Sequence, residues 1–301
     1  MLYGSSPYGS LPYGARPPGA AAAAAAAASE RILFLTTFAV DAATLLASTS
    51  EGALLVTNLQ NRQPSKKWRS TSTAARITMV SPTPVDADSL AFVGHNLTSN
   101  ALGRVTASID LADLVSAPDF DTGWKSMWPT SGKPTIVDWP NWIALLRWTN
   151  VSSFFNWQLE IVDPGNSDGY VEGGRIAICR GFQPSANVDV SLAIGLEPPS
   201  EQRRTPFGFT FSDDRGDTPR RFTLPFSVMN DRNVFDGLKE IQRRAGLHAD
   251  VMVFLDPAAT TNFHEYALHG LFAAPGGYES QPLWDSVSQV WRTGAVLTEL
   301  L

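Results

Sequence analysis

Two histidines near the C-terminal end are the first residues whose types and spacing could do chemistry. His264 and His269 are five positions apart, and Glu265 follows the first of them. Zinc ligands on a helix favour histidines four positions apart, and a spacing of five fits neither one helical face nor one strand face. We therefore expect two half-exposed histidines on a hairpin and no metal site. His95, in FVGHNL, is expected at a strand end with its ring satisfied by the backbone.

An acidic cluster and the single cysteine are the next candidates. Asp213, Asp214 and Asp217 could bind calcium, but the later acidic ligand of an EF-hand loop is missing and nearby arginines neutralise the cluster, which favours a solvated turn. Cys179 lies in an apolar run that predicts a buried, inert thiol. No nucleophile elbow, phosphate loop, zinc-protease or dinucleotide motif occurs. The chain is therefore not expected to be an enzyme, and no cofactor or metal is predicted.

Six tryptophans lie close together in the first half of the chain. They are Trp124, Trp128, Trp139, Trp142, Trp148 and Trp157. Exposed tryptophans at the rim of a β-sandwich can stack on sugar rings, which makes Trp124 and Trp128 the candidates for glycan binding. The alternative, that the tryptophans fill a core or a face between subunits, is favoured.

Composition limits the classes of partner. Apolar residues make up 44% of the 301 residues and charged residues only 17%, which indicates that partners cover part of the surface. The net charge of −6 argues against nucleic acid, because phosphate binding needs a clustered positive field. No segment is long and apolar enough to predict a membrane span, since the alanine run at 20–28 has only nine residues.

The N-terminal residues 1–29 form a low-complexity arm. Tyr-Gly pairs repeat every five residues, with Tyr3, Tyr8 and Tyr13 as the large side chains, before the alanine run. Such a segment has too few apolar side chains to build its own core. We expect an extended arm whose three tyrosines contact a neighbouring subunit.

The rest of the chain predicts a mostly β fold in two β-rich domains. Residues 30–184 contain short apolar runs separated by turn residues, which predicts a β-sandwich. Some runs, such as SLAFVGHNL, are continuously apolar, which is typical of strands buried on both faces. Residues 185–301 predict a second β-sheet unit with one packed helix.

That helix is predicted over 231–245. Asn230 or Asp231 can cap its first turn, and Gly246 is a suitable stop after it. The apolar side chains expected on its buried face are Val234, Phe235, Leu238 and Ile241.

Three pieces of the first domain and one of the second resemble tail proteins of long-tailed bacteriophages. An N-L-x-N stretch leads to a W-R turn, a strand ends in G-H-N-L, and a strand of the type E-x-G-R-I-x-I closes the domain. The residues that carry this likeness are Asn58, Leu59, Asn61, Trp68, Arg69, Gly94, His95, Asn96, Leu97, Glu172, Gly174, Arg175, Ile176, Ile178, Phe182 and Pro184. The stretch RRFTLPFSVMNDRNVFDGLKEIQRRAGLHADVMVFLDP is similar to the strand–helix–strand module of tail-tip and baseplate proteins.

The resemblance implies a galactose-binding-like (discoidin-type) jelly roll over residues 30–184 and a tail-assembly unit over 185–301. It also implies a distal-tail-like structural protein of the virion, made in the cytoplasm of the bacterial host. Its expected partners are copies of itself in a ring, hexameric or trimeric, and the tube and hub proteins of the tail. The alternative function is a carbohydrate-binding module that recognises a host cell-surface glycan.

Overall fold

The fold is mostly β, as predicted. The computed structural model describes residues 31–134, 141–184, 187–189, 191–199, 201–204, 206–213, 216–229, 232–273, 281–284 and 289–301. These residues form two seven-stranded sheets and two two-stranded ladders. All pairings between named strands are antiparallel.

Strands are the main secondary structure of the described residues, and most of them are short. The strands are β1 (Leu33–Thr36), β2 (Thr44–Ala47), β3 (Trp68–Arg69), β4 (Ala74–Val93), β5 (Leu102–Ser108), β6 (Phe120–Asp121), β7 (Lys125–Ser126), β8 (Ile143–Val162), β9 (Glu172–Gly173), β10 (Arg175–Cys179), β11 (Ala193–Leu196), β12 (Glu201–Arg204), β13 (Thr210–Asp213), β14 (Arg220–Met229), β15 (Val251–Phe254), β16 (Ala267–Phe272), β17 (Gln281–Trp284) and β18 (Gln289–Glu299). The helices are α1 (Phe38–Asp41), α2 (Asp113–Ser116), α3 (Arg232–Ala245) and α4 (Phe263–Tyr266), with a 3₁₀ helix at Val56–Gln60.

The two large sheets follow the two halves of the chain, with one exception. The first sheet has the order β10-β4-β8-β5-β6, with β2 on β4 and β7 on β5. The second has the order β1-β15-β16-β18-β14-β11, with β17 on β18. The exception is β1, which the sequence assigned to the first domain but which pairs with β15 of the second sheet. The domain limits 30–184 and 185–301 themselves stay a prediction.

The continuously apolar runs are strands buried on both faces, as predicted. In β4, Leu90 and Phe92 face the core of the first sheet, while Ala91 and Val93 face the second sheet. All five residues of β10 are buried. The side chains of β1 and β15 pack on this second face, through Leu33, Leu35, Met252 and Phe254, so the two sheets share one apolar layer.

A buried ion-pair cluster lies between the same two sheets. Arg175 of β10 donates from Nε to Asp250 Oδ2 at 2.7 Å and from Nη2 to Asp41 Oδ2 at 2.9 Å. His269 Nε2 lies 2.7 Å from Asp250 Oδ2, and Thr37 donates its hydroxyl to Asp250 Oδ1. Arg175 and Asp250 have no exposed surface. The cluster therefore joins β10 of the first sheet to β16 of the second.

The long helix, α3, lies where the sequence predicted it. Leu238 is fully buried and Ile241 packs against the same apolar cluster. Gly246 follows the helix with φ +53°, and its N–H donates to the Gln242 carbonyl at 2.7 Å, which is a common way for a helix to end. The predicted cap (Asn230 or Asp231) and the side chains of Val234 and Phe235 lie outside the described residues.

Candidate functional site

Most of the clustered tryptophans fill the interior, as favoured from the sequence. Trp157 is fully buried and stacks on Trp148, with ring centroids 5.7 Å apart. Trp128 and Trp142 meet edge to face with centroids 5.4 Å apart, and both are nearly buried. Trp124 differs from these because 46% of its surface is exposed.

The two glycan candidates therefore differ in what they offer a ligand. Only 6% of Trp128 is exposed, and its ring is packed against His95 as well as Trp142. Trp124, in the connection between β6 and β7, presents enough surface for a sugar ring to stack on. Trp139 lies outside the described residues. Sugar binding by Trp124 and Trp128 stays a prediction.

One side of the first sheet carries a patch of polar side chains that we call the polar face. Its residues are Arg76 and Thr78 of β4, Gln158 and Glu160 of β8, Arg104 and Thr106 of β5, and Asp121 of β6. They alternate along each strand with core residues such as Ile77, Leu159 and Val105. Period-two alternation therefore places one row in the core and the other on the polar face.

Glu160 is at the centre of the polar face. It is paired in register with Arg76 on one side and Arg104 on the other. Arg76 Nε lies 3.7 Å from Glu160 Oε1, and Arg104 Nη1 lies 3.9 Å from Oε2. Both separations exceed a direct hydrogen bond, so neither guanidinium donates directly to the Glu160 carboxylate.

The side chains of Gln158 and Thr78 hold the Glu160 carboxylate in place. Gln158 Nε2 donates to Glu160 Oε1 at 2.7 Å, and the Thr78 hydroxyl donates to Gln158 Oε1 at 3.3 Å. Gln158 is 3% exposed and Glu160 is 8% exposed. The fully buried hydroxyl of Thr106 has no hydrogen-bond partner among the described residues. The Glu160 carboxylate is thus held in a fixed position on the polar face.

An arginine–aspartate pair connects the polar face to Trp124. Arg104 Nε and Nη2 donate to the two carboxylate oxygens of Asp121 at 2.9 and 2.6 Å. The hydrogen bond from Arg104 lowers the pKa of Asp121 and raises that of Arg104, so both are charged at neutral pH. Asp121 Oδ1 also accepts from the N–H of Gly123, whose φ of +67° turns the chain just before Trp124. The backbone next to Trp124 is therefore held by the charged pair.

The histidines of the H-x4-H pair are buried, which corrects the expectation of half-exposed side chains. His264 lies in α4 and is 9% exposed, and His269 in β16 has no exposed surface. The reason is that His269 points between the two sheets, where Asp250 accepts its hydrogen bond. In the part of the chain that is described, no three His, Cys, Asp or Glu side chains are grouped to hold a metal ion.

His95 and Cys179 lie where the sequence predicted them. His95 follows β4, and its Nδ1 accepts from the N–H of Leu97 at 3.3 Å. Burial, and then the charges of Lys67 and Lys133, lower the pKa of His95 to about 3. Burial raises the pKa of the Cys179 thiol to about 12. At neutral pH the imidazole is uncharged and the thiol is protonated.

The pieces that carry the tail-protein resemblance meet at one end of the first sheet. Trp68 and Arg69 of β3 pair with Gly173 and Glu172 of β9. Arg69 donates to Glu172 at 3.0 Å and stacks over the ring of Tyr170 at 4.0 Å. Asn96 accepts from the N–H of Glu172 at 2.9 Å. These contacts close the end of the domain.

Several predicted positions lie outside the described residues. They are the arm tyrosines Tyr3, Tyr8 and Tyr13 and part of the acidic cluster, Asp214. The main residues that the sequence did not single out are Arg76, Arg104 and Glu160. In the sequence they belong to the polar residues that alternate with apolar ones in β4, β5 and β8. They are missed when only the apolar residues of these strands are considered. No described helix has the length and apolar character needed to cross a membrane.

Solved structures similar to this chain are mostly carbohydrate-binding modules. A family 32 module of Clostridium perfringens NanJ, solved with galactose, is 9% identical, with a TM-score of 0.35 over 50% of this chain and 99% of its own. The chitosan-binding module 1 of a Paenibacillus sp. IK-5 chitosanase/glucanase is 13% identical, with a TM-score of 0.32 over 48% of this chain and 98% of its own.

A different type of protein has a similar score. XRCC1, solved with the catalytic domain of DNA polymerase β, is 10% identical, with a TM-score of 0.31 over 45% of this chain and 93% of its own. No protein-family model matches the chain, and no curated protein matches its sequence. At such scores these neighbours carry no argument about function, and the fold is given by the strand pairings of the chain itself.

Proposed function

We propose that the chain is a non-catalytic binding protein that recognises a neutral cell-surface glycan through the polar face and Trp124. The observation that carries this proposal is the position of Glu160 between Arg76 and Arg104, at 3.7 and 3.9 Å. A sugar with neighbouring hydroxyls can donate to the carboxylate and accept from a guanidinium at the same time.

The charge of the polar face supports a neutral ligand. Two arginines, Arg76 and Arg104, are balanced by two carboxylates, Glu160 and Asp121, so neither sign dominates. An anionic sugar would gain little net attraction from this surface, whereas hydroxyl groups find donors and acceptors side by side. Trp124 adds the apolar surface on which the less polar side of a sugar ring packs.

Substitution of Trp124 and Arg76 tests this proposal. Arg76 is the better arginine to change, because its side chain is about half exposed and its ion pair with Glu160 is long. We expect W124A and R76A each to weaken binding to a neutral oligosaccharide about tenfold, the loss of one stacking or charged contact. A glycan array of neutral and acidic sugars, followed by titration calorimetry on the best neutral ligand, measures this.

Matched controls separate the site from general surface effects. Leu247 and Arg243 are at least as exposed as the two test residues but lie outside the first sheet. L247A and R243A should leave the dissociation constant unchanged. Equal losses in test and control variants, or binding by acidic sugars only, would contradict the proposal.

A second candidate is assembly into the tail tip or baseplate of a bacteriophage, as the sequence resemblance implies. The observation that favours it is a group of exposed phenylalanines in the hairpin β12–β13: Phe207, Phe209 and Phe211 are 88, 68 and 62% exposed. Large exposed apolar groups of this kind mark surfaces that partners cover. The proposed partners are further copies of the chain in a hexameric or trimeric ring, and the tube and hub proteins of a virion.

Light scattering of the purified chain, with and without residues 1–28, tests the assembly function. We expect a mass of several copies for the full chain and a smaller mass for the truncated one, because the arm is proposed to contact neighbouring subunits. A single-copy mass for the full chain at high concentration would count against assembly through self-association. Glycan binding would be unaffected by that result.

A further inference from the structure

The β12–β13 hairpin is an apolar surface that its own sheet does not cover. Within the described residues, its two strands pair only with each other. Two-stranded hairpins are marginal in water unless another surface packs on them. Phe209 and Phe211 are two positions apart in extended chain, so their rings share one side, and Phe207 lies at the turn beside Gly208.

A groove lined by several aromatic and apolar side chains lies elsewhere on the same chain. It has a volume of about 510 Å³ and runs between β1 and α3. Its apolar lining includes Phe34, Phe38, Phe182 and Ile241. Phe182 packs over Gly237 of α3, where a Cβ would lie only 2.4 Å from its ring. A groove lined by aromatic rings in this way suits the insertion of further rings.

The hairpin follows β11, which is one edge strand of the second sheet. The groove begins at β1, which is the other edge strand, and extends to α3, which packs on β14 and β18. Four strands separate β1 from β11, which places the two edges about 24 Å apart at the usual strand spacing. Two complementary surfaces at separate places on one chain lead to head-to-tail contacts between copies.

Area and charge are also compatible with a contact between copies. Three phenylalanine rings bury roughly 500 Å², more than half of the ~800 Å² that one partner contributes to a standard interface. The hairpin exposes charges of both signs, at Arg204 and Asp213, and the rim of the groove does so as well. The charged rim residues are Arg180, Glu240 and Arg244.

We propose that the phenylalanines of the β12–β13 hairpin of one copy insert into the groove between β1 and α3 of the next copy. This inference rests on the assembly function and names its contact; it is independent of glycan binding. The contact is heterologous: each copy offers both a hairpin and a groove. Repetition closes a ring when the rotation between copies allows it.

Cross-linking between two variants that each carry one added cysteine tests the contact. Thr210 is an exposed hairpin residue between two of the phenylalanines, and Glu240 is exposed at the rim of the groove. Cys179 is buried with a raised thiol pKa, so it gives little background. Because Thr210 faces the side of the hairpin opposite Phe209 and Phe211, we expect a bismaleimide with a long flexible spacer to join differently tagged T210C and E240C chains when these are mixed.

The control cross-linking experiment uses an equally accessible position outside the groove in place of Glu240. Val115 in α2 is 56% exposed and belongs to the first sheet's side of the chain. A mixture of T210C with V115C should give at least tenfold less cross-linked product. Cross-links between two T210C chains alone would show hairpin–hairpin pairing and overturn the proposal, as would equal yields in both mixtures.

A second measurement separates failure of this contact from failure of assembly itself. F211A should weaken self-association at least tenfold in light scattering, while V115A, a matched exposed apolar position, should not. If an oligomer forms, but T210C and E240C do not cross-link and F211A does not weaken the oligomer, then the chain assembles by another contact. That result overturns the proposed contact between hairpin and groove. A chain that stays single at high concentration overturns both.

Discussion

At the scale of the residue, the clearest interaction is the burial of Arg175 with Asp250. All three guanidinium nitrogens of Arg175 are bonded: Nε and Nη2 to Asp250, Nη2 also to Asp41, and Nη1 to the Leu59 carbonyl. A buried ion pair adds little net stability compared with apolar residues of similar volume, but removing one partner leaves an uncompensated charge. The cluster therefore makes the position of the two sheets specific.

Asp250 gives the folded state an acid-sensitive contribution. Burial by itself would raise the pKa of this carboxyl, but hydrogen bonds from His269 and Arg175 outweigh it and hold the pKa below its usual range. The stabilisation by ionised Asp250 is therefore complete above the pKa of an aspartate in the unfolded chain, about 3.9. It is lost as the pH falls through the lower pKa of Asp250 in the folded chain.

Replacement of Asp250 should be among the most damaging changes in the molecule. We expect D250N to lower the free energy of unfolding by about 3–5 kcal/mol at pH 7, because Arg175 then keeps only Asp41 as a carboxylate partner. The variant should also lose less further stability than wild type between pH 5 and pH 2. Urea unfolding across this range measures both effects.

The control for Asp250 is an aspartate on the surface. Asp86 of β4 is exposed, and D86N should change the unfolding free energy by less than about 0.5 kcal/mol. A D250N protein as stable as D86N at pH 7 would contradict the role given to the buried cluster.

At the scale of the element, Gly174 between β9 and β10 shows how closely two segments approach. Its N–H donates to the Val93 carbonyl at 2.8 Å. A Cβ at this position would lie 2.3 Å from the carbonyl oxygen of Pro64 and 2.7 Å from its Cα. Since these are backbone atoms, they cannot turn aside as a flexible side chain would. The glycine in the motif is thus explained by close approach of backbone.

Gly174→Ala is predicted to destabilise the fold by about 1–3 kcal/mol, the usual range for overpacking. Gly165 is the matched control, because a Cβ there would meet its nearest atoms at ordinary contact distances of 3.7 and 3.8 Å. G165A should change the unfolding free energy by less than about 0.5 kcal/mol. Thermal or urea unfolding of the two variants compares them directly, and equal stabilities would refute the close approach.

At the scale of the whole molecule, the two sheets depend on one another. Leu33 and Leu35 of β1 and Met252 and Phe254 of β15 cover the outer face of β4 and β10, where Ala91, Val93, Ala177 and Cys179 lie. Strands buried on both faces need both coverings, because their exposed apolar side chains would otherwise favour aggregation.

A fragment of residues 30–184 should therefore not fold stably on its own. It lacks β15 and Asp250, so it exposes an apolar face and leaves the buried Arg175 without its main carboxylate partner. We expect either aggregation or a transition at least 10 °C below that of the full chain in circular dichroism. A cooperative transition at the temperature of the full chain would show instead that the predicted domain is independent.

Local patterns predicted many elements correctly. The continuous apolar run at 89–93 indicated a doubly buried strand, and capping and periodicity indicated the helix at 231–245, observed as Arg232–Ala245. These features were readable because they depend on residues close together in the chain. The burial of Cys179 followed in the same way from its apolar neighbours.

Long-range pairing was beyond the reach of such patterns. Nothing local in Leu33–Thr36 distinguishes a strand of the first sheet from one that pairs with Val251–Phe254, more than two hundred residues later. The burial of His269 could not be predicted from its neighbours in the sequence, because its partner, Asp250, is nineteen residues away on another segment of the chain. The polar face has the same origin, since Arg76, Arg104 and Glu160 come from three strands that only the sheet register brings together.

The sequence by itself therefore determined the mostly β class, the strands that have two buried faces, the long helix and the unreactive cysteine. Each of these follows from side-chain polarity and backbone preference within a short window. The tertiary structure alone decided that Trp124 is exposed, which carboxylate lies between Arg76 and Arg104, and which aspartate holds Arg175. Those outcomes depend on strand order and register, which are set by the packing of the complete chain.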